Sequence, residues 1–177
     1  MQGNWRDGNR FTLLAEAQQF LPEMFKAIES ARESVILELY LMESGRLSES
    51  LIETLGAAAE RGVTVLLLLD DYGAMGLETA DRQRLAERGV AMRYFNPLAW
   101  RSLAHNLTRD HRKLLVIDGE VAFTGGFGSV DAFLGAWYEV AVRIEGPVVA
   151  DWVRLFSKLW DSSLSRGEGE AALVRGL

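Results

Sequence analysis

The densest concentration of reactive side chains in the chain is His111-Arg112-Lys113-Leu114-Leu115-Val116-Ile117-Asp118. It reads His-x-Lys-x4-Asp on a strand-like apolar run, and Gly125-Gly126 begins seven residues after Asp118. Residues two apart on an extended strand project to the same face, so His111 and Lys113 are expected side by side. An imidazole beside an ammonium suits a phosphodiester: a ring nitrogen attacks phosphorus and a fixed cation holds the anionic oxygens. The pattern occurs once. The chain has two histidines, and the other, His105, has no lysine two residues on and reads as a loop residue.

The elements around the motif follow from hydrophobic period. Strand-like runs are Arg10–Ala15, Ser34–Met42, Val63–Leu69, Val90–Tyr94, Leu114–Asp118, Val121–Thr124 and Tyr138–Glu145. Helical stretches are Gln19–Ala31, Ser48–Arg61, Glu78–Arg88 and Val148–Ser162, two of them closed by Gly62 and Gly89. This alternation predicts an α/β fold: a mixed, mainly parallel sheet flanked by helices on both faces, with antiparallel strands added in the last third. Residues 1–165 read as one domain and 166–177 as a linker or frayed tail. The segment Phe95–Asp110 reads as a long loop leading into the motif. Its Phe95, Leu98, Trp100 and Leu103 with Arg101 suit either anchoring to the core or contact with lipid.

The motif and its flanks resemble the phospholipase D superfamily, and within it the N-terminal half of bacterial cardiolipin synthases. The likeness rests on Asn9–Leu14, the Glu-x-Tyr of Val35–Tyr40, Arg61-Gly62-Val63 with Leu66–Gly73, Arg109–Lys113, Asp118-Gly119, Thr124–Phe127, Trp137-Tyr138-Glu139 and Arg143–Pro147. It implies a phospholipase D-like domain that transfers a phosphatidyl group to a glycerophospholipid hydroxyl through a phosphohistidine. The alternatives are a phosphodiesterase that uses water, a nuclease, or a catalytically impaired half-domain.

The resemblance also assigns roles. His111 is the nucleophile, Lys113 the phosphate clamp and Glu139 the carboxylate that orients the imidazole. Asp118 completes the signature, with a structural role expected at its strand end. Gly125 and Gly126 let backbone approach a phosphate. The family places Asn two residues after the second glycine; this chain has Gly128, which leaves Ser129 or the backbone to substitute. Arg109 pairs with a phosphate or a structural carboxylate. Glu38, mid-strand among apolar residues, tunes the pocket or binds a headgroup. Asp70-Asp71 reads as structural. No metal and no cofactor is expected. Two motifs must face one phosphate, so the partner is a second copy of the chain or a second phospholipase D-like half.

Bulk properties narrow the class. At 177 residues the chain has length for one domain with a real core. It is 49% hydrophobic, 25% charged, free of cysteine and of any apolar run long enough to cross a membrane. A net charge of −6 argues against general nucleic-acid binding, which neutralises phosphates with Lys and Arg. The expected partner is a phospholipid, met by peripheral contact on the cytoplasmic, inner face of a bacterial membrane.

Overall fold

The structure is a computed structural model that describes residues 5–99 and 106–175. Eight strands form one sheet: β1 (Arg10–Ala15), β2 (Ser34–Leu39), β3 (Thr64–Asp70), β4 (Ala91–Phe95), β5 (Leu114–Ile117), β6 (Val121–Gly125), β7 (Val140–Glu145) and β8 (Ser165–Arg166). Their spatial order is β1-β7-β6-β5-β2-β3-β4-β8. Helices α1 (Ala17–Ser30), α2 (Arg46–Glu60), α3 (Thr79–Glu87), α4 (Val149–Trp160) and α5 (Glu168–Arg175) pack around it, with a short 3-10 turn at Asp131–Leu134.

Alternation along the central strands sorts side chains between two cores. Val35, Leu37 and Leu39 of β2 join Val65, Leu67 and Leu69 of β3 beneath α1 and α2, whose Phe20, Met24, Ile28, Ile52 and Leu55 are buried there. Ile36, Leu68, Leu114, Val116 and Ile144 point the other way, under Val149, Trp152 and Phe156 of α4. The sheet is therefore covered on both faces, as the alternation predicts. Helices α2 and α3 end where expected. Gly62 and Gly89 adopt φ of 90° and 84°, and the following N–H groups, of Val63 and Val90, return to Ala58 and Leu85.

One expectation is corrected. The sheet is not mainly parallel: only β2–β3 and β3–β4 run parallel. β1–β7, β7–β6, β6–β5, β5–β2 and β4–β8 are antiparallel. The reason lies in connection length. β5, β6 and β7 follow one another without an intervening long helix, so each reverses on its neighbour, and β5 inserts directly beside β2. Asp118 and Gly119, at φ 52° and 68°, make the turn between β5 and β6. Of the segment read as a tail, Arg166 ends β8 opposite Tyr94 of β4, and Glu168–Arg175 form helix α5, whose Ala171 is buried.

The register brings one set of strand ends together. Leu114 of β5 lies opposite Glu38 and Thr124, Gly125 opposite Ala141, and Ala15 opposite Val140. The entry to β5, the exits of β1, β2 and β6 and the start of β7 thus share one edge, and the His-x-Lys residues stand on it.

Candidate active site

The residues just before β5 are held from below. Asp70, at the end of β3 and fully buried, accepts the backbone N–H of Asp110 at 2.8 Å and lies 3.4 Å from Arg109. It also accepts from the N–H groups of Tyr72 and Gly73. Burial raises its carboxyl above the usual range, against the pull of these donors and of Arg109. Arg109 donates in addition to the carbonyl of Asn96 at 2.7 Å. Of its two expected roles, the geometry fits the structural one.

His111 is exposed at this edge, its ring stacked on Tyr40 with centroids 3.8 Å apart. The Lys113 Nζ lies 3.0 Å from His111 Nδ1 and 2.7 Å from the carbonyl oxygen of His111. It also sits over the Tyr40 ring at 5.3 Å, within cation–π range. Burial lowers the Lys113 ammonium below its ordinary value, while the charges of Asp110 and Glu139 oppose the shift. His111, Arg112 and Lys113 line an open cleft of about 330 Å³ together with Leu114, Thr124, Gly125, and Trp152 and Leu155 of α4.

Glu139 approaches from β7. A Cβ placed on Gly126 would overlap its Oε2, so glycine there is what lets the carboxylate lie across the backbone. Gly125, at φ 155°, meets the Val140 carbonyl oxygen in the same way. The Gly126 N–H donates to that carbonyl at 3.1 Å. The pair therefore serves close approach of β7 and Glu139, and the Gly126 N–H is already engaged rather than held out for a phosphate. No hydrogen bond joins Glu139 to His111 among the described residues; Lys113 stands at Nδ1 instead.

The remaining expected residues separate. Asp118 lies at the far end of β5, where its carboxylate accepts the backbone N–H groups of Arg32, Glu33 and Ser34 at 2.8–3.3 Å. Burial works to raise its pKa, but these three donors outweigh burial and lower it. Ser129 is buried and bonded to Ser48, Oγ to Oγ at 2.7 Å, away from the cleft. Gly128 is packed shut: a Cβ would meet Leu41 O at 3.0 Å and Phe133 Cε2 at 3.1 Å. Glu38 is fully buried, with Arg112 Nε 2.6 Å from Oε1. Tyr40 is the clearest residue without an assigned role; it stands two residues after Glu38 in the Glu-x-Tyr run, which is the signal that points to it. Thr124, Trp152 and Leu155 carried none. Trp100, Arg101, Leu103 and His105 lie outside the described residues, while Phe95 ends β4 in the core and the Leu98 N–H donates to Asp71.

Residues 24–160 match the family of cardiolipin synthase phospholipase D-like domains. The chain belongs to this family. Among relatives, a cardiolipin synthase B of Salmonella typhi is 39% identical over 158 residues, covering 85% of this chain and 38% of the relative. A cardiolipin synthase B of Escherichia coli K12 is 36% identical over the same length, and a probable cardiolipin synthase of Bacillus subtilis, YwiE, is 30% identical over 156 residues, 84% of this chain and 31% of the relative. The chain thus spans well under half the length of the curated relatives it matches. Solved structures share the fold. Nuc of Salmonella typhimurium, a phospholipase D family member, superposes with a TM-score of 0.72 at 19% identity, over 90% of this chain and 98% of its own. The phosphatidylserine synthase of Haemophilus influenzae gives 0.70 at 16% identity, over 94% of this chain and 42% of its own.

Among the described residues no group of three His, Cys, Asp or Glu is arranged to hold a metal ion. None of the described helices is long and apolar enough to cross a membrane.

Proposed function

We propose that the chain is the phosphatidyltransferase half-site of a cardiolipin synthase-type enzyme, acting on phospholipids at the inner face of a bacterial membrane through peripheral contact. The observation that carries this reading is the His111–Lys113 pair, set in an open cleft on a chain whose relatives are cardiolipin synthases. His111 Nε2 attacks the phosphorus of a phosphatidyl donor, the P–O bond to the donor's headgroup alcohol breaks, and a phosphatidyl–histidine forms. The hydroxyl of a glycerophospholipid then displaces the histidine. The protons of the leaving and entering alcohols pass through the histidine of a second motif, from a second copy of the chain or a second phospholipase D-like half.

Attack through Nε2 requires the neutral ring to carry its proton on Nδ1. An ammonium donating to Nδ1 favours the opposite tautomer. Lys113 therefore moves onto the phosphate oxygens when the substrate arrives, where its charge offsets the developing negative charge. That movement frees Nδ1 to donate to Glu139, whose carboxylate is at hand over Gly126. Burial that weakens the lysine's hold on its proton also leaves the ammonium poorly solvated, which strengthens its attraction to an incoming phosphate.

The test supplies radiolabelled phosphatidylglycerol in mixed vesicles to the chain, alone and joined to the C-terminal half of a related cardiolipin synthase. Labelled cardiolipin with release of glycerol supports the transferase reading. Phosphatidic acid as the sole product assigns a hydrolase instead, and absence of turnover in both forms assigns an impaired half-domain.

A further inference from the structure

Beneath the exposed pair lies a charged cluster to which the proposed chemistry gives no step. Glu38 sits in the middle of the sheet on β2, opposite Leu114, with no measurable exposure. Asp110 is 6% exposed. Between them runs the Arg112 side chain, whose Nε lies 2.6 Å from Glu38 Oε1 and 3.2 Å from Asp110 Oδ1. Asp110 also accepts the backbone N–H of Arg112 at 3.3 Å. Both Glu38 oxygens and Asp110 Oδ2 are buried without an aligned hydrogen bond, and Arg112 Nε lies in close contact with Glu38.

Two buried carboxyls against one partly exposed guanidinium do not balance if both acids are ionised. The excess negative charge would face a large desolvation cost, and such a pair lowers it by retaining a proton. Burial first, and then Asp110 beside it, pushes the Glu38 carboxyl up to about 8, against the opposing pull of Arg112. At neutral pH Glu38 is therefore mostly the neutral acid, which removes much of the excess charge.

The positions matter as much as the charge. Arg109, Asp110 and Arg112 are each tied inward, to Asp70 and Asn96, to Asp70, and to the two carboxyls. His111 and Lys113 reach the cleft with Arg112 between them, and Arg112 alone of the three also touches the two buried carboxyls. We propose that Glu38, Asp110 and Arg112 form a buried positioning cluster, in which Arg112, clamped by the two carboxyls, fixes the backbone on either side of it and so sets the His111–Lys113 geometry. Glu38 touches no reacting atom in this scheme. It acts through Arg112, and at neutral pH it does so mostly as a neutral acid.

This inference rests on His111 and Lys113 being the phosphate-binding pair, but its test needs no turnover. The chain's two histidines make ring NMR tractable, and His105→Gln assigns the His111 signals. The readouts on the intact chain are the tautomer of His111, from ring nitrogen shifts, and its titration midpoint, with far-UV circular dichroism as the check of folding. Glu38→Gln, a neutral isostere that keeps one donor and one acceptor, is expected to leave the midpoint within about 0.2 pH units, whereas Glu38→Ala shifts it by about 0.5 or more and alters the nitrogen pattern. Should Glu38→Ala fail to fold, Arg112→Gln, at a side chain 40% exposed, removes the same clamp and is expected to give the same shift. An unchanged His111 in the folded Glu38→Ala and Arg112→Gln chains, or a Glu38→Gln chain as perturbed as Glu38→Ala, overturns the proposal. A displaced His111 ring in a chain that turns over no lipid supports the cluster and counts against the transferase reading alone.

Discussion

Lys113 Nζ stands 3.0 Å from Nδ1 of His111, in the place where an orienting carboxylate is expected. In the proposed mechanism the lysine leaves this place when a phosphate arrives. His111→Ala is expected to abolish phosphatidyl transfer, below about 10⁻³ of the parent rate, because it removes the attacking atom itself. The side chain is exposed, so thermal unfolding is expected to stay within a few degrees of the parent. Measurable transfer by the purified variant would sink the nucleophile assignment.

Gly126 is predicted to act through Glu139. An added methyl group overlaps the Glu139 carboxylate, and a flexible side chain yields before backbone does. Gly126→Ala should therefore reproduce the activity loss of Glu139→Ala, at a stability cost of only about 1 kcal/mol. Comparing the two variants and their combination in the lipid assay checks this: losses that fail to overlap in the double variant place the glycine's role elsewhere.

Gly128 raises the question whether the family's asparagine could be restored. Leu41 and Phe133 already fill the space, so Gly128→Asn is expected to destabilise the chain by about 1–3 kcal/mol through overpacking, without raising turnover. Urea unfolding and the transfer assay together decide it. An active and equally stable variant would mean that the asparagine side chain finds a path to the cleft.

Asp118 is predicted to matter for stability more than for chemistry. Its lowered pKa means that the folded state favours the carboxylate, so its stabilisation is complete above the unfolded value and fades as pH falls through the carboxylate range. Asp118→Ala is expected to lose about 1–2 kcal/mol at pH 7 after allowance for solvent, with the gap to the parent narrowing in acid. Denaturant titrations of both chains at several pH values measure that gap; a gap independent of pH would remove the carboxylate from the explanation.

The strands and helices were legible because alternation along β2 and β3 and the buried stripe of α1 leave little choice of face. Strand direction was not. Apolar runs do not record orientation, and the antiparallel majority arises from where β5 inserts, a long-range choice settled against β2 rather than within β5 itself. The motif was legible as residue types at fixed spacing. What spacing could not convey is that Lys113 would fold back to Nδ1, that the Gly126 N–H would be engaged by β7, or that Ser129 would turn inward to Ser48. Each of these depends on a partner far away in the chain.

The edge pairing of β1 with β7 joins Arg10 to Glu145, and the N–H of Glu16, just past β1, clips onto the Glu139 carbonyl at 2.8 Å. On the ribosome, β1 emerges long before its only neighbour, and it must wait through the synthesis of the rest of the sheet. Contacts this distant in sequence are slow to close. The β1–β7 seam, with Glu139 at the head of β7, is thus closed near the end of folding, and a nascent fragment already bearing His111 and Lys113 has yet to seat Glu139 against the chain's first strand.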